Sequence, residues 1–249
     1  MSFFNIQCFE INVLYIIECY NYIKIQFGGY MRDIKGEEFV ITLCIFGTVL
    51  IVPFIYLPIK SIYDFFYFPK YITLVLITFS LLILIIRKPA YINEFIKFDI
   101  INKFLLSYFI LITISLFFSL DPELSIQGRT LRYDGYSTQM MYIILFLFAR
   151  TIKCIDNKFI HVVCISSAIL ATYGILQYFG FDPFIRDLTR MHWTSAFSTF
   201  GNQNFFGAYL VLQIPFSLYT ILINKKKWAY ITYSLTLLAL LMTMTRSAW

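Results

Sequence analysis

Long apolar segments alternate with short polar ones along most of the chain. A helix that crosses the hydrocarbon core of a bilayer needs about 20 mostly apolar residues, with roughly 17 tolerated. Seven candidate segments follow one another at Phe39–Ile59, Tyr71–Ile86, Phe104–Leu120, Tyr136–Ala149, Phe159–Phe179, Phe205–Leu222 and Trp228–Met244. The fourth of them is the shortest. Pro53 and Pro215 lie inside two of them and predict kinks there. The pattern predicts an all-α, polytopic membrane protein with about seven transmembrane helices.

The composition also favours a protein that faces lipid. Of its 249 residues, 59% are hydrophobic and 14% are charged, whereas a soluble domain carries about 25% charged residues. The 28 phenylalanines and 19 tyrosines suit packing within hydrocarbon and along its borders. The net charge of +6 is spread between the apolar segments, which does not resemble a nucleic-acid-binding patch. We therefore expect membrane lipids, and no nucleic acid, as partners.

The chain is interpreted as an N-terminal segment, residues 1–37, followed by a transmembrane domain, residues 38–249. Residues 1–30 mix apolar residues with charged ones, and Met31 stands shortly before the first apolar segment. These residues are read as a cytoplasmic or interfacial segment, or as a mis-start before Met31. With the N-terminus in the cytoplasm, 13 of the 20 lysines and arginines lie on the cytoplasmic side, as the positive-inside rule expects.

The basic residues predicted to lie outside differ in kind from those inside. Five of the seven outer basic residues are arginine, whereas the inner segments hold ten lysines and three arginines. Any positive charge serves topology, but the planar guanidinium of arginine also binds phosphate bidentately. Two interpretations follow, namely ordinary anchoring at the membrane interface and recognition of a phosphate-bearing ligand.

Two outer loops carry most of these arginines. In the loop 121–135, Arg129 and Arg132 are three residues apart and would share a face of a helical turn, with Asp134 near enough to pair with one of them. A solvated loop with a local ion pair is the other interpretation. The longer loop 180–201 carries Arg190 and His192, and such a loop could cover a site at the outer membrane face.

Amides are concentrated where the sixth apolar segment begins. Asn202, Gln203 and Asn204 lie between two glycines there, and buried amides are costly unless they find hydrogen-bond partners. A packed turn that enters a helix is one explanation, and binding of a hydroxyl-rich ligand is the other. The N-terminus of that helix also favours an anion.

The last residues of the chain place an arginine at the outer end of the seventh segment. Arg246 comes just after the seventeen-residue segment Trp228–Met244, which is uncharged, and it has small neighbours. It is either a snorkelling anchor or a ligand-binding residue.

The five cysteines are scattered and are interpreted as small buried hydrophobic residues. We expect no metal site and no cofactor.

Two of these stretches carry a family resemblance. Residues 199–204 read Thr-Phe-Gly-Asn-Gln-Asn, and residues 245–249 read Thr-Arg-Ser-Ala-Trp. With their spacing they resemble the O-antigen ligase family of membrane glycosyltransferases, which is related to polysaccharide polymerases and protein O-oligosaccharyltransferases. Members show Thr-Phe-Gly-Asn-Pro-Asn at the start of one helix and a Ser-Arg-Gly/Ala-like motif one hairpin later. The loop 128–135 resembles the loop before the family's fourth helix, and the resemblance covers residues 31–249.

The resemblance implies a reaction and roles for individual residues. The donor would be a glycan on undecaprenyl pyrophosphate, and a hydroxyl of a glycan, lipid or protein acceptor would attack the anomeric carbon of its first sugar. Arg246 matches the arginine of the family's motif and would be catalytic, stabilising the leaving pyrophosphate. The residues that would shape the donor site are Arg129, Arg132, Arg190, Asn202 and Asn204.

The family pattern continues beyond what this sequence contains. In the family, a large outer loop after the second motif supplies another arginine and the catalytic histidine, and His192 does not match that histidine. We therefore expect the N-terminal part of such a transferase, a truncated bundle in the bacterial cytoplasmic membrane that lacks a C-terminal half and is inactive alone.

Two other functional classes stay open. One is a transporter or flippase half, and the other is a non-catalytic membrane subunit of a polysaccharide export complex. A coupled transporter usually carries ionisable residues within its spans. The seven predicted spans contain none apart from His161, near one end, which counts against a coupled transporter.

Overall fold

The computed structural model describes residues 36–57, 64, 66–95, 99–129, 132–152, 155, 157–182 and 195–248. Every regular element within these residues is helical, and they contain no strand. Two 3-10 turns, Val52–Phe54 and Ser198–Phe200, accompany the α-helices. These helices are α1 (Gly36–Leu50), α2 (Tyr67–Arg87), α3 (Ala90–Phe95), α4 (Ile100–Phe117), α5 (Pro122–Gln127), α6 (Tyr136–Ala149), α7 (Asn157–Tyr178), α8 (Gln203–Leu222) and α9 (Trp228–Met242). The predicted segment 1–30, and Arg190 and His192, lie outside the described residues.

Four helices, α2, α4, α7 and α8, are long and apolar enough to cross a membrane, with mean hydropathy between 1.6 and 2.2. Helices α6 and α9 are apolar but have 14 and 15 residues. At about 1.5 Å per residue they reach roughly 21–23 Å, short of a hydrocarbon core of about 30 Å. The all-helical, membrane-compatible fold is confirmed, whereas the count of about seven spans is not.

Pro53 ends a helix where a kinked span was expected. The predicted span Phe39–Ile59 corresponds to α1, which stops at Leu50, followed by the 3-10 turn that contains Pro53. A proline removes one backbone donor and its ring clashes with the carbonyl four residues earlier, so the α-helix cannot continue through it without neighbours that compensate. Helix α8, in contrast, continues through Pro215.

The described residues form two compact units, each with its own core. The first unit contains 53–57, 64, 66, 155, 157–182 and 195–248, and the second contains 36–52, 67–95, 99–129 and 132–152. In the first, α7, α8 and α9 pack against one another around a core that includes Leu170, Phe206 and Leu210. In the second, α1, α2 and α6 pack together around Ile41, Leu81 and Phe148.

A polar clamp in the second unit joins the start of α4 to the end of α6. Asp99 caps α4 by accepting a hydrogen bond from the Asn102 N–H at 2.8 Å, and the Arg150 guanidinium donates to both the Asp99 carboxylate and the Asn102 side-chain oxygen. Burial raises the pKa of Asp99, but the Asn102 N–H and the hydrogen bond and charge of Arg150 outweigh it and leave the pKa below its ordinary value. Arg150 is one of the basic residues that the sequence predicts on the cytoplasmic side, and the structure shows that it also anchors the start of α4.

Candidate functional site

The segment that leads into α8 is tied to α7 and α9 by hydrogen bonds. The Ser198 N–H donates to Gln177 Oε1 at 2.7 Å, and the Ser198 hydroxyl donates to the Leu170 carbonyl at 2.9 Å. The Ala196 N–H donates to the Met242 carbonyl at 2.9 Å. Because Ser198, Gln177, Leu170 and Ala196 are buried, their pairing fixes where the first motif lies on the bundle.

The first motif itself has a tightly constrained backbone. The Thr199 hydroxyl donates to the Pro53 carbonyl at 2.5 Å. Gly201 has φ +67°, and a Cβ added there would lie 2.6 Å from Cγ of Phe66. A larger residue would therefore meet both an unfavourable backbone conformation and the Phe66 ring, which explains a glycine at this position of the motif.

Asn202 is the N-cap of α8. Its side-chain oxygen accepts a hydrogen bond from the Asn204 N–H at 2.8 Å, as N-cap asparagines commonly do. This contact favours the interpretation of Asn202 as a residue that begins a helix. The side chain of Asn204 is exposed in the first turn of α8, where it is accessible to a ligand.

Gly207, three residues after the first motif, is where α8 meets the second motif. A Cβ added to Gly207 would lie 2.8 Å from the Thr245 hydroxyl oxygen and 2.9 Å from the Ala248 Cβ. The Thr243 and Thr245 hydroxyl oxygens lie 2.8 Å apart, and Thr243 also donates to the Leu240 carbonyl at 2.7 Å. The small residues beside Arg246 are thus in contact with α8, which holds residues 243–248 (the arginine turn) against the start of that helix.

Arg246 projects from this packed turn. Its side chain is exposed and makes no hydrogen bond or ion pair with the residues described. Thr245 and Ala248 flank it and contact the fifth residue of α8, so Arg246 lies near the positive end of that helix dipole. Residues 188–249 contain no Asp or Glu. The helix end and the guanidinium together offer an anion two sources of positive charge.

Arg129 and Arg132 belong to the second unit. The Arg132 N–H donates to the Arg129 carbonyl at 3.0 Å, so the two arginines stand on one turn, as their spacing predicts. Both side chains are exposed. Within the described residues Asp134 forms an ion pair with neither of them.

The turn that carries these arginines is held in place by aromatic stacking and a hydrogen bond at its base. Tyr133, with φ +50°, stacks on Tyr71 with ring centroids 5.1 Å apart. The Ser137 hydroxyl donates to the Ile126 carbonyl at 3.0 Å, which brings the two ends of the loop together. The turn therefore presents its arginines from a supported backbone.

The structure thus separates the predicted site residues into three sets. Asn202, Asn204 and Arg246 lie at one end of the first unit, where Gly207 joins their two segments. Arg129 and Arg132 share a turn of the second unit. Arg190 lies outside the described residues.

Sequence inspection missed the polar side chains of α7 that support the first motif. Gln177 is buried, and its Oε1 accepts a hydrogen bond from the Ser198 N–H. Its Nε2 donates to the Asp182 carboxylate at 3.4 Å. The Tyr173 hydroxyl donates to the same carboxylate at 2.9 Å. Tyr173 and Gln177 are four residues apart near the end of an apolar helix, which places their polar groups on one face. This spacing is the sequence signal that could have identified them.

The known proteins offer no independent assignment of this site. Among the described residues no group of three or more His, Cys, Asp or Glu side chains could hold a metal ion. The chemistry open to the site depends on Arg246, the start of α8 and the contact at Gly207. No protein-family model, no curated protein and no solved structure matches the chain.

Proposed function

We propose that this chain is part of a membrane glycosyltransferase of the O-antigen ligase type, acting in the assembly of bacterial surface polysaccharide. The donor is a glycan linked to undecaprenyl pyrophosphate, and the acceptor is a hydroxyl group. The observation that carries the proposal is the contact of Gly207 with Thr245 and Ala248. It unites the two motifs and leaves Arg246 exposed beside the N-terminus of α8.

The chemistry asks for stabilisation of a leaving pyrophosphate. The acceptor oxygen forms a bond to the anomeric carbon while the bond from that carbon to the pyrophosphate oxygen breaks, and the electron pair leaves with the pyrophosphate. The acceptor proton passes to a general base, which we assign to no described residue. Arg246 would bind two pyrophosphate oxygens as negative charge develops there, and the dipole of α8 would add to its effect.

The remaining residues of the proposal have supporting roles. Asn204, exposed in the first turn of α8, would donate a hydrogen bond to the lipid-linked glycan. Asn202 would keep the end of α8 in place by capping it. By the family resemblance, Arg129 and Arg132, on their own turn of the second unit, and Arg190 from the loop 180–201 would also bind phosphate. The proposed location is the bacterial cytoplasmic membrane, with the N-terminus in the cytoplasm and Arg246 at the outer face.

Binding of the lipid diphosphate tests the proposal directly. Purified full-length chain in detergent is titrated with undecaprenyl pyrophosphate, and bound lipid is measured by native mass spectrometry. Arg246→Lys keeps the charge but loses the bidentate fork, and we expect about tenfold weaker binding. Arg246→Gln loses the charge as well and should weaken binding about 100-fold, since hydrogen bonds to charged groups are worth about 1.5–3 kcal/mol.

The matched control makes the same chemical change at an arginine away from the site. Arg87, exposed at the end of α2, is changed to Lys and Gln, and neither variant should alter the affinity. Undecaprenyl monophosphate should bind more weakly than the pyrophosphate to the unaltered chain, and Arg246→Gln should reduce that difference. Equal affinity of the unaltered chain and both Arg246 variants for the pyrophosphate would contradict the proposal.

A further inference from the structure

The end of the first unit opposite Arg246 carries a compact group of lysines. Lys225, Lys226 and Lys227 are consecutive and exposed in the connection between α8 and α9; we call residues 224–227 the lysine turn. Helix α8 has 20 residues, so about 30 Å separates this turn from the start of α8. The lysine turn is therefore distinct from the proposed donor site.

The backbone of the lysine turn is fixed by hydrogen bonds. The Asn224 N–H donates to the Tyr219 carbonyl at 3.4 Å, and the Lys226 N–H donates to the Thr220 carbonyl at 3.2 Å. Lys225 has φ +51°, a left-handed conformation that is uncommon for a residue with a side chain. A turn held in this way presents its three ammonium groups from one defined place.

Side chains of α7 clamp the same turn. The Asn224 side-chain nitrogen lies 3.1 Å from Nε2 of His161, and the Tyr219 hydroxyl donates to the Asn157 side-chain oxygen at 3.2 Å. Trp228 meets the His161 ring edge-on, with centroids 5.4 Å apart. These contacts join α7 to residues of α8, the lysine turn and α9. The position of the lysines is therefore fixed by α7 as well as by α8.

Apolar side chains border the lysines on both sides. Leu222 and Ile223 precede the turn and are 67% and 52% exposed, and Tyr230 and Ile231 follow it at 58% and 64%. Exposed apolar residues of this kind suit hydrocarbon, and lysines beside them extend their ammonium groups towards the headgroups. The pattern places the turn where a bilayer's acyl chains end and its phosphates begin.

The charge around the turn is strongly positive. Lys158, in the first turn of α7, is also exposed. Asp182 lies beyond the far end of α7, a helix of 22 residues and hence about 33 Å long. Asp156 lies outside the described residues, and within them α7, α8, α9 and the α8–α9 connection contain no Asp or Glu.

We propose that the lysine turn binds the phosphate of an anionic phospholipid headgroup, with the acyl chains against the exposed apolar residues that flank it. Three ammonium groups on a fixed turn supply the charge, and Trp228 anchors the turn at the level of the headgroups. A zwitterionic phospholipid offers the same phosphate but cancels its charge with a nearby ammonium, so it should compete poorly.

Lipid titration of matched double variants tests this site. The full chain in detergent is titrated with phosphatidylglycerol, and bound lipid is counted by native mass spectrometry. A basic side chain near an anionic membrane surface contributes a factor of about five to affinity, so Lys226→Gln with Lys227→Gln should weaken binding about 25-fold. Lys226→Gln alone should weaken it about fivefold, which keeps the test valid if the double variant folds poorly.

The control removes an equally exposed basic pair at another helix end. Arg87→Gln with Lys88→Gln should change phosphatidylglycerol affinity less than threefold, and phosphatidylcholine should bind the unaltered chain at least tenfold more weakly than phosphatidylglycerol. Equal losses in the two double variants would overturn the site in favour of diffuse charge attraction. Displacement of the lipid by equimolar glycerol 3-phosphate would overturn the lipid in favour of a free phosphate.

Discussion

Substitution of Gly207 tests whether α8 packs closely against the arginine turn. Alanine at this position would place its Cβ 2.8 Å from the Thr245 hydroxyl oxygen and 2.9 Å from the Ala248 Cβ, closer than carbon atoms approach without repulsion. Either α8 or the arginine turn must then move. Gly207→Ala should therefore loosen the contact that unites the two motifs.

The magnitude follows from two opposing effects. Within a helix, alanine is favoured over glycine by about 1 kcal/mol, whereas adding a methyl group to a packed interior costs about 1–3 kcal/mol. The free energy of unfolding should thus stay unchanged or fall by up to about 2 kcal/mol. Gly47 provides the matched control, because it is buried in α1 and its added Cβ would meet its nearest neighbours at an ordinary 3.8 Å.

Thermal unfolding in detergent distinguishes the two glycines. Gly47→Ala should gain the helix preference without the repulsion and raise Tm, while Gly207→Ala should leave Tm unchanged or lower it. With about 2–4 °C per kcal/mol for a chain of this size, the two variants should differ by roughly 2–12 °C. Gly207→Ala should also weaken binding of undecaprenyl pyrophosphate. If Gly207→Ala raises Tm as much as Gly47→Ala does, the close contact with the arginine turn is refuted.

Two further predictions concern polar contacts. Thr199→Val keeps the shape but removes the donor to the Pro53 carbonyl, and the free energy of unfolding should fall by about 1–3 kcal/mol; an unchanged Tm would show that the bond contributes nothing. The Asp99 carboxylate, whose pKa is below its ordinary value, should add about 1 kcal/mol at pH 7, a contribution lost as the pH falls below about 4 and through the folded-state pKa. Asp99→Asn should therefore be less stable than the unaltered chain at pH 7, and this difference in stability should shrink as the pH falls below about 4. A difference that does not shrink on acidification would contradict this origin.

The apolar pattern predicts where most helices lie but not where each begins and ends. Tyr136–Ala149 agrees with α6 residue for residue. Helix α4, however, begins at Ile100, four residues before the predicted Phe104. The uncharged segment is bounded by Lys103, whereas the helix begins where Asp99 can cap it. Helix ends are set by caps as well as by hydrophobicity.

The short helix α5 was missed although its signal is present. Asp121 accepts a hydrogen bond from the Leu124 N–H at 3.0 Å, and Pro122 occupies the first turn. An aspartate N-cap followed by proline favours a helix start. With six residues, α5 is too short and too polar to cross a membrane, so hydropathy alone does not predict it.

The candidate site was predictable in its parts but not in its assembly. The motif at 199–204 and the arginine at 246 stand out in the sequence because glycine, amides and a guanidinium interrupt apolar segments. Their contact through Gly207 depends on how α8 and α9 pack, and single-sequence patterns carry little information about such tertiary contacts. That packing also explains why Thr245 and Ala248, beside Arg246, are small.

Photocrosslinking with a lipid diphosphate can show which residues of the chain lie next to the bound headgroup. An undecaprenyl pyrophosphate analogue with a diazirine next to the diphosphate is bound to the full chain, irradiated, and the labelled peptides are identified by mass spectrometry. We expect label in residues 199–207 and in the arginine turn, with less label there in Arg246→Gln. Label confined to the lysine turn, or label at the arginine turn that Arg246→Gln does not reduce, would contradict the assignment of this end of the bundle as a diphosphate site.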